Sequence, residues 1–469
     1  MSFRETQSLP SKGGTLPSRA GDRGPVVGLR PCGISVQTRP RAGPSVVGMF
    51  SESLFSRFAR RASQRHLHFG SSRSDLELPA PDAGRKYLLY LHVPFCIALC
   101  PFCSFHRVEY KEGRARAYFD ALRREIRTAT DAGYGFRELY VGGGTPTILP
   151  DELERTILLV RDLHALESVS VETHPADLDQ GQVALLQSAG VSRLSIGVQS
   201  FDDRLLREMG RLDKYGSGAQ IRQRLRRLTG IFETLNVDMI FNFPDQSEAS
   251  LIADLDILGG EVQPDQVSYY PLMTATGTRR MLEKKLGPVR HDREKRLYRL
   301  ITRRMLDAGY HRSSAWNFDR DSLLIDEYII NQDEYLGLGS GSFSYIGGDM
   351  YASTFSINHY IERVNRGRTG IVRKRDMRRR DQMLYYLLTR LFAGSIDLDA
   401  AERRFAGRFR QTLLPELFGL RVIGAVKKDG RQLWLTERGY YLWVVLMREF
   451  FSGVNNFREE MRLNIPAER

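Results

Sequence analysis

The stretch Tyr90-Leu-His-Val-Pro-Phe-Cys-Ile-Ala-Leu-Cys-Pro-Phe-Cys-Ser-Phe105 holds three of the chain's four cysteines, Cys96, Cys100 and Cys103, in the spacing Cys-x3-Cys-x2-Cys. Three thiolates this close together can converge on one soft metal centre, and thiolate sulfur is the usual ligand of iron–sulfur clusters. A four-iron cube held by three cysteines keeps one iron open to an outside ligand. The spacing matches no common zinc pattern, which would bring a fourth Cys or His close by. A disulfide framework would need paired cysteines and an oxidising compartment, and the remaining cysteine, Cys32, stands alone in sequence. Phe95 and Phe102 flank the sulfurs, and such an apolar shell limits solvent access to a cluster. The stretch therefore predicts an iron–sulfur centre on Cys96, Cys100 and Cys103. His106, just after the third cysteine, is the alternative fourth ligand.

Around this stretch the chain reads as a large soluble protein. Its 469 residues, 42% hydrophobic and 27% charged, suit two or three globular domains, and no apolar run approaches the roughly 18 residues that span a bilayer. The net charge of +13 is uneven, because residues 1–80 carry 11 Arg and one Lys against five acids. That leaves too little basic excess elsewhere for a nucleic-acid surface. The remaining basic groups suit an acidic substrate or solubility. Few cysteines and an iron–sulfur motif point to the reducing cytoplasm.

Residues 1–80, rich in Gly, Pro, Ser and Arg, read as a disordered extension or as a start assigned upstream of Met49. A transit peptide over Met49–Gly70 is the alternative. From Lys86 short apolar runs alternate with amphipathic stretches. The expected strands are Lys86–His92, Leu139–Val141, Ser168–Thr173, Arg193–Val198, Asn236–Phe241 and Gln266–Tyr270, and Ala115–Arg127 has helical period. Continuous apolar strands alternating with helices predict a parallel sheet that curls, by right-handed crossovers, into an open (β/α)6 barrel over residues 81–370. Active groups in such barrels lie at the strands' C-terminal ends. Residues 371–469 read as a C-terminal helical, winged-helix-like domain: a basic run at Arg373–Arg380, a helix Met383–Phe392, a turn Val422–Lys428, a strand Gln432–Leu435 and a long helix from Glu437.

The cysteine stretch resembles the cluster motif of radical S-adenosylmethionine enzymes, in the branch typified by oxygen-independent coproporphyrinogen III oxidase, which reads Tyr-x-His-Ile-Pro-Phe-Cys-x3-Cys-x-Phe/Tyr-Cys. The resemblance extends over about residues 86–460 and implies the same partial (β/α)6 fold. It also implies a 4Fe–4S cluster whose open iron chelates S-adenosylmethionine, with one electron cleaving the sulfonium to methionine and a 5′-deoxyadenosyl radical. Gly142–Thr147 follows a strand, and its three glycines let backbone approach a ligand. The resemblance assigns Gly143, Gly144 and Thr145 to S-adenosylmethionine. Glu172, at a strand's mouth, is either a surface carboxylate or an acceptor for ribose hydroxyls, and the resemblance implies the second. It likewise assigns Gln199, Arg211 and Asp238 as polar cofactor ligands, Tyr90 and Phe102 as aromatic ones, and Phe343, in the run Leu336–Ser344, as a contact to adenine. Tyr90 and Glu172 are the expected catalytic pair. His92 has a counterpart in the family, while His174 and His311 gain no role.

Three departures bear on substrate. Phe105 stands where the oxidases carry a further cysteine, Asn242-Phe-Pro244 replaces Gly-Leu-Pro, and Ile330–Tyr335 lacks the His and Trp of the haem motif found in haem-chaperone relatives. The expected activity is oxidative decarboxylation of porphyrinogen propionates to vinyl groups, by a monomer that takes electrons from a donor such as flavodoxin or ferredoxin. The alternatives are a C-methyltransferase or cyclopropanase using two S-adenosylmethionine molecules, or a haem chaperone.

Overall fold

The computed structural model describes residues 69–70, 75–320 and 334–463. Cys32, most of the 1–80 extension and residues 330–333 of the motif without its His and Trp lie outside the described residues. Six parallel strands follow one another in chain order: β1 (Lys86–Val93), β2 (Gly135–Gly143), β3 (Ser168–Thr173), β4 (Arg193–Gln199), β5 (Thr234–Phe241) and β6 (Gln266–Pro271). β1 is buried at every residue but Lys86, as befits a strand with both faces covered. Each expected strand is found; Ser168–Thr173 has the expected bounds and the other five are longer by one or more residues at one end or both.

Helices fill the crossovers. Glu112–Asp131 lays Ala115, Tyr118, Phe119, Leu122, Ile126 and Ala129 against the sheet, a stripe at three- and four-residue spacing. Each large side chain so buried contributes about 1.5–3 kcal/mol. The same helix carries a buried carboxylate, Glu125, which accepts from Gly339 N (2.9 Å), Tyr360 Oη (2.7 Å) and Gly370 N (2.6 Å). Three donors in a dry interior compensate a buried carboxylate and pin the Gly-rich turn that begins at Gly339.

β1 and β6 do not pair, so the barrel is open. Tyr335–Leu338 adds to the β1 edge in parallel and leads into an antiparallel meander, Phe343–Ile346, Asp349–Ser353 and Ile371–Arg375. Asn317–Asp319 lies antiparallel on the β6 edge. The sheet thus extends past residue 370 and takes in the first three residues of the basic run.

The C-terminal elements have a winged-helix-like order: the helix Arg379–Phe392, the strand Ser395–Asp397, the helices Leu398–Arg404 and Leu414–Val422, and the hairpin Val426–Asp429/Gln432–Leu435. Val426–Asp429, expected as part of a turn, is a strand instead. The chain reverses after it at Gly430-Arg431, with Asp429 paired to Gln432 and Gly430 at φ +56°; glycine at the first central position suits a two-residue hairpin turn. The final helix, Glu437–Leu463, returns to the barrel. Its Asn455 Nδ2 donates to Met273 O (3.0 Å), and its Asn456 and Glu459 accept from the backbone of Thr276 and Gly277. This helix covers the loop that follows β6.

Candidate active site

The C-terminal ends of all six strands open on one cavity. It is lined by Tyr90 from β1, Gly143 from β2, Glu172 from β3, Gln199 from β4, Asp238 from β5 and Tyr270 from β6, together with all three cysteines of the motif. Every predicted site residue lines it except Phe343. That side chain sits behind the lining, packed on Phe69, Phe355 and Phe457 with ring centroids 5.9–6.3 Å apart.

Cys96 and Cys100 are buried, Cys103 is half-buried, and all three are free thiols. Cys96 Sγ lies 3.8 Å from Thr145 Oγ1, and Cys100 Sγ lies 3.8 Å from Arg211 Nη1. Burial, followed by the neighbouring Cys103, pushes the Cys96 thiol up to about 11, so ligation must displace its proton. Among the described residues no three His, Cys, Asp or Glu side chains converge tightly enough for a single ion. The buried Nε of Arg211 has no hydrogen-bond partner among the described residues, so a donor is available beside the sulfurs. The donor set fits a cubane with an anionic ligand on its open corner. His106 does not join it: its Nε2 is 3.1 Å from Ser340 Oγ and its ring packs on Phe355.

The glycines pack closely against protein. A Cβ on Gly144 would stand 2.6 Å from Phe95 O and 3.0 Å from Cys96 Sγ, and Gly143 has φ +124°. Backbone of the β2 turn therefore packs directly on the cysteine loop. Gly144→Ala is expected to cost about 1–3 kcal/mol of overpacking and to lower iron content after reconstitution. Metal analysis and thermal melting check both; full loading at wild-type stability would refute the contact.

Glu172 accepts from Tyr140 Oη (2.9 Å) and Gly143 N (3.0 Å), so it is a braced carboxylate at the cavity wall and not a surface group. Asp238 is braced from below by Ser195 Oγ (2.9 Å) and Asn236 Nδ2 (2.8 Å). Gln199 holds φ +78° at a register shift in β4, a costly conformation for a non-glycine residue that clusters at functional sites. Arg211 donates to Gly197 O and lies over the Tyr215 ring at 4.4 Å. Tyr90 Oη is 2.8 Å from His92 Nδ1, and His92 Nε2 is 2.9 Å from His106 O. A carbonyl can only accept, so Nε2 carries the proton and Tyr90 donates to Nδ1. Burial lowers His92 to about 4, which keeps the ring neutral and this orientation fixed.

The cavity also holds residues that sequence reasoning missed: Arg107, Tyr140, His174, Tyr215, Phe451, Asn455 and Arg458. Tyr140 was findable, because it precedes Gly142 at a strand's end. Phe451, Asn455 and Arg458 come from the distant final helix, and their four- and three-residue spacing is the one signal they give. His311, by contrast, is exposed on a two-residue strand.

Comparison with known proteins decides the family. The family model for the radical SAM superfamily matches residues 90–258. The chain is 30% identical to a heme chaperone HemW of Mycobacterium tuberculosis over 307 residues, 62% of this chain and 78% of the relative. The chain belongs to the radical SAM superfamily, in its HemN/HemW family. It is also 27% identical to an oxygen-independent coproporphyrinogen III oxidase of Pseudomonas aeruginosa, over 77% of this chain and 84% of that one. The solved coproporphyrinogen III oxidase HemN of Escherichia coli superposes with a TM-score of 0.66 at 21% identity, covering 87% of this chain and 95% of that one. That likeness bears out the partial barrel and the helical C-terminal region. Membership brings the superfamily's cofactors, a 4Fe–4S cluster and S-adenosylmethionine. Among the described residues no helix is long and apolar enough to cross a membrane.

Proposed function

We propose that the protein is a radical S-adenosylmethionine oxidoreductase that acts on a carboxylate-bearing tetrapyrrole, with coproporphyrinogen III as substrate. The observation that carries this is the single cavity in which the three cysteines and the braced carboxylates Glu172 and Asp238 meet three arginines, Arg107, Arg211 and Arg458. Cys96, Cys100 and Cys103 would hold the cluster; Tyr90, Phe102, Gly143, Gly144, Thr145, Glu172, Gln199, Arg211 and Asp238 would hold S-adenosylmethionine. When bound, these groups supply a 5′-deoxyadenosyl radical that removes a hydrogen atom from substrate. The chain's own part is to position and to exclude water. Glu172 can accept from ribose hydroxyls, since its two oxygens are held by Tyr140 and Gly143. Arg211 can fork onto a carboxylate. The final helix roofs the β6 side of the cavity.

The test is anaerobic. The chain is reconstituted with iron and sulfide, reduced, and given S-adenosylmethionine with coproporphyrinogen III and a one-electron acceptor to take the electron left by each decarboxylation, and products are read by mass spectrometry. Stepwise loss of two carboxyl groups with matching 5′-deoxyadenosine is expected. Deoxyadenosine without decarboxylation would discard this substrate. The name of the relative from Mycobacterium tuberculosis favours a second reading, carriage of haem. Tight haem binding by a chain that forms no deoxyadenosine with any porphyrinogen would support it.

A further inference from the structure

We propose that Arg458, on the final helix, is the anchor for a substrate carboxylate, with Phe105 as the flat apolar platform beside it. This deepens the tetrapyrrole reading and rests on it for the identity of the ligand. Phe451, Asn455 and Arg458 form one stripe of the helix Glu437–Leu463 and line the same cavity as the cysteines. The cavity measures about 280 Å³, at the small end of ligand sites. A cofactor would fill most of it, and a large tetrapyrrole is then held toward the mouth. Phe105 marks that mouth, because it lines the cavity while 48% exposed.

Arg458 is oriented before any ligand arrives. Asn455 Nδ2 donates to Met273 O at 3.0 Å, which turns Asn455 Oδ1 to accept from Arg458 Nη1, also at 3.0 Å. The guanidinium carbon lies 5.0 Å from the Phe105 ring centroid and 5.6 Å from that of Phe343, distances at which a cation is attracted to an aromatic face. A planar fork held in this way is suited to bidentate recognition of a carboxylate. Arg462, one turn further on, donates to Phe105 O at 3.3 Å, so two arginines hold the ring and backbone of one phenylalanine. Like charges four residues apart disfavour a helix, and an anion at this point would relieve the repulsion. Phe105 occupies the place where the related oxidases carry a cysteine. In this chain the position serves stacking, not thiol chemistry.

The test uses the full chain with its cluster reconstituted and two stable probes, coproporphyrin III and its tetramethyl ester, titrated by fluorescence quenching. Arg458→Gln is expected to weaken binding of the free acid roughly ten- to a hundredfold, the loss of a hydrogen bond to a charged group, and to leave the ester's affinity where it was. Arg458→Lys should recover part of the loss, and Phe105→Leu should weaken acid and ester alike. Equal binding of the acid by wild type and Arg458→Gln would overturn the anchor, as would equal losses for acid and ester. If wild type binds coproporphyrin III through Arg458 but does not decarboxylate the porphyrinogen, the oxidase reading fails and the anchor stands. If wild type binds neither probe, the anchor fails, and the oxidase reading stands or falls on turnover of the porphyrinogen.

Discussion

Replacing any one of Cys96, Cys100 or Cys103 by serine is expected to abolish S-adenosylmethionine cleavage and to remove most of the roughly four irons that a cubane contributes per chain. The physical reason is donor softness: a serine oxygen is a hard donor and a poor substitute for thiolate on iron. The three positions should differ in detail. Cys96 and Cys100 are 9% and 7% exposed and touch Thr145 and Arg211, so their loss also breaks contacts to the β2 turn and to the segment after β4. Cys103 is half-buried and its serine variant should fold as wild type does. Iron and sulfide analysis, the cluster's visible absorbance and deoxyadenosine release together provide the readout. Cys32→Ser serves as the control and should retain all three. His106→Ala should keep its iron as well, because His106 is turned to Ser340. A Cys103→Ser variant that kept full iron and turnover would remove the three-cysteine assignment.

The barrel was legible because each of its strands is a short apolar run between polar helices, and a buried parallel strand leaves that mark on sequence. Much of the cavity wall was legible for a related reason: Gly143, Glu172 and Gln199 sit at or one residue from strand ends, and Tyr90 and Asp238 three residues before them, so locating a strand locates its mouth. Asn242 shows how a departure can be understood once the backbone is known. It has φ +63°, a left-handed conformation that glycine adopts freely and asparagine tolerates, so Asn for Gly there keeps the turn. The C-terminal contribution was not legible. Asn455 and Arg458 lie over 180 residues from Met273, and polar residues on an amphipathic helix look solvated until the opposite wall is known. Phe343 stands apart from the other predicted residues for a different reason. Its Gly-rich run reads as a ligand loop, whereas Gly339 is occupied by packing on Tyr118 and the backbone of His92, and Phe343 joins an aromatic cluster with Phe355 and Phe457.

Arg448→Met is expected to destabilise the protein by about 3–5 kcal/mol, the cost of leaving buried charge uncompensated, whereas Glu294→Gln should cost less. Arg448 lies on the final helix with 5% of its side chain exposed, and pairs with Glu294 on the helix His291–Asp307 and with Glu449 at 2.8 Å. Removing the cation takes the arginine from two buried carboxylates at once and leaves Glu294 only His291 as a charged neighbour, while removing Glu294 leaves Arg448 its pair with Glu449. Burial on its own would raise the Glu294 carboxyl, but Arg448 and His291 outweigh it and hold it below its ordinary value of 4.5. A carboxyl depressed on folding adds stability above its unfolded value, and that contribution is lost as pH falls through the lower folded value. The wild type should therefore lose this support only below pH 4.5. In Arg448→Met the burial penalty dominates, so the deficit relative to wild type should be largest near neutrality and shrink toward pH 4. Urea midpoints across that range measure it; equal midpoints at pH 7, or a larger loss for Glu294→Gln, would refute the asymmetry. The same ion pair seats the helix that brings Phe451, Asn455 and Arg458 to the cavity. At temperatures where Arg448→Met is still folded, a looser helix should raise KM for substrate more than it lowers iron content, because no cluster ligand lies on that helix.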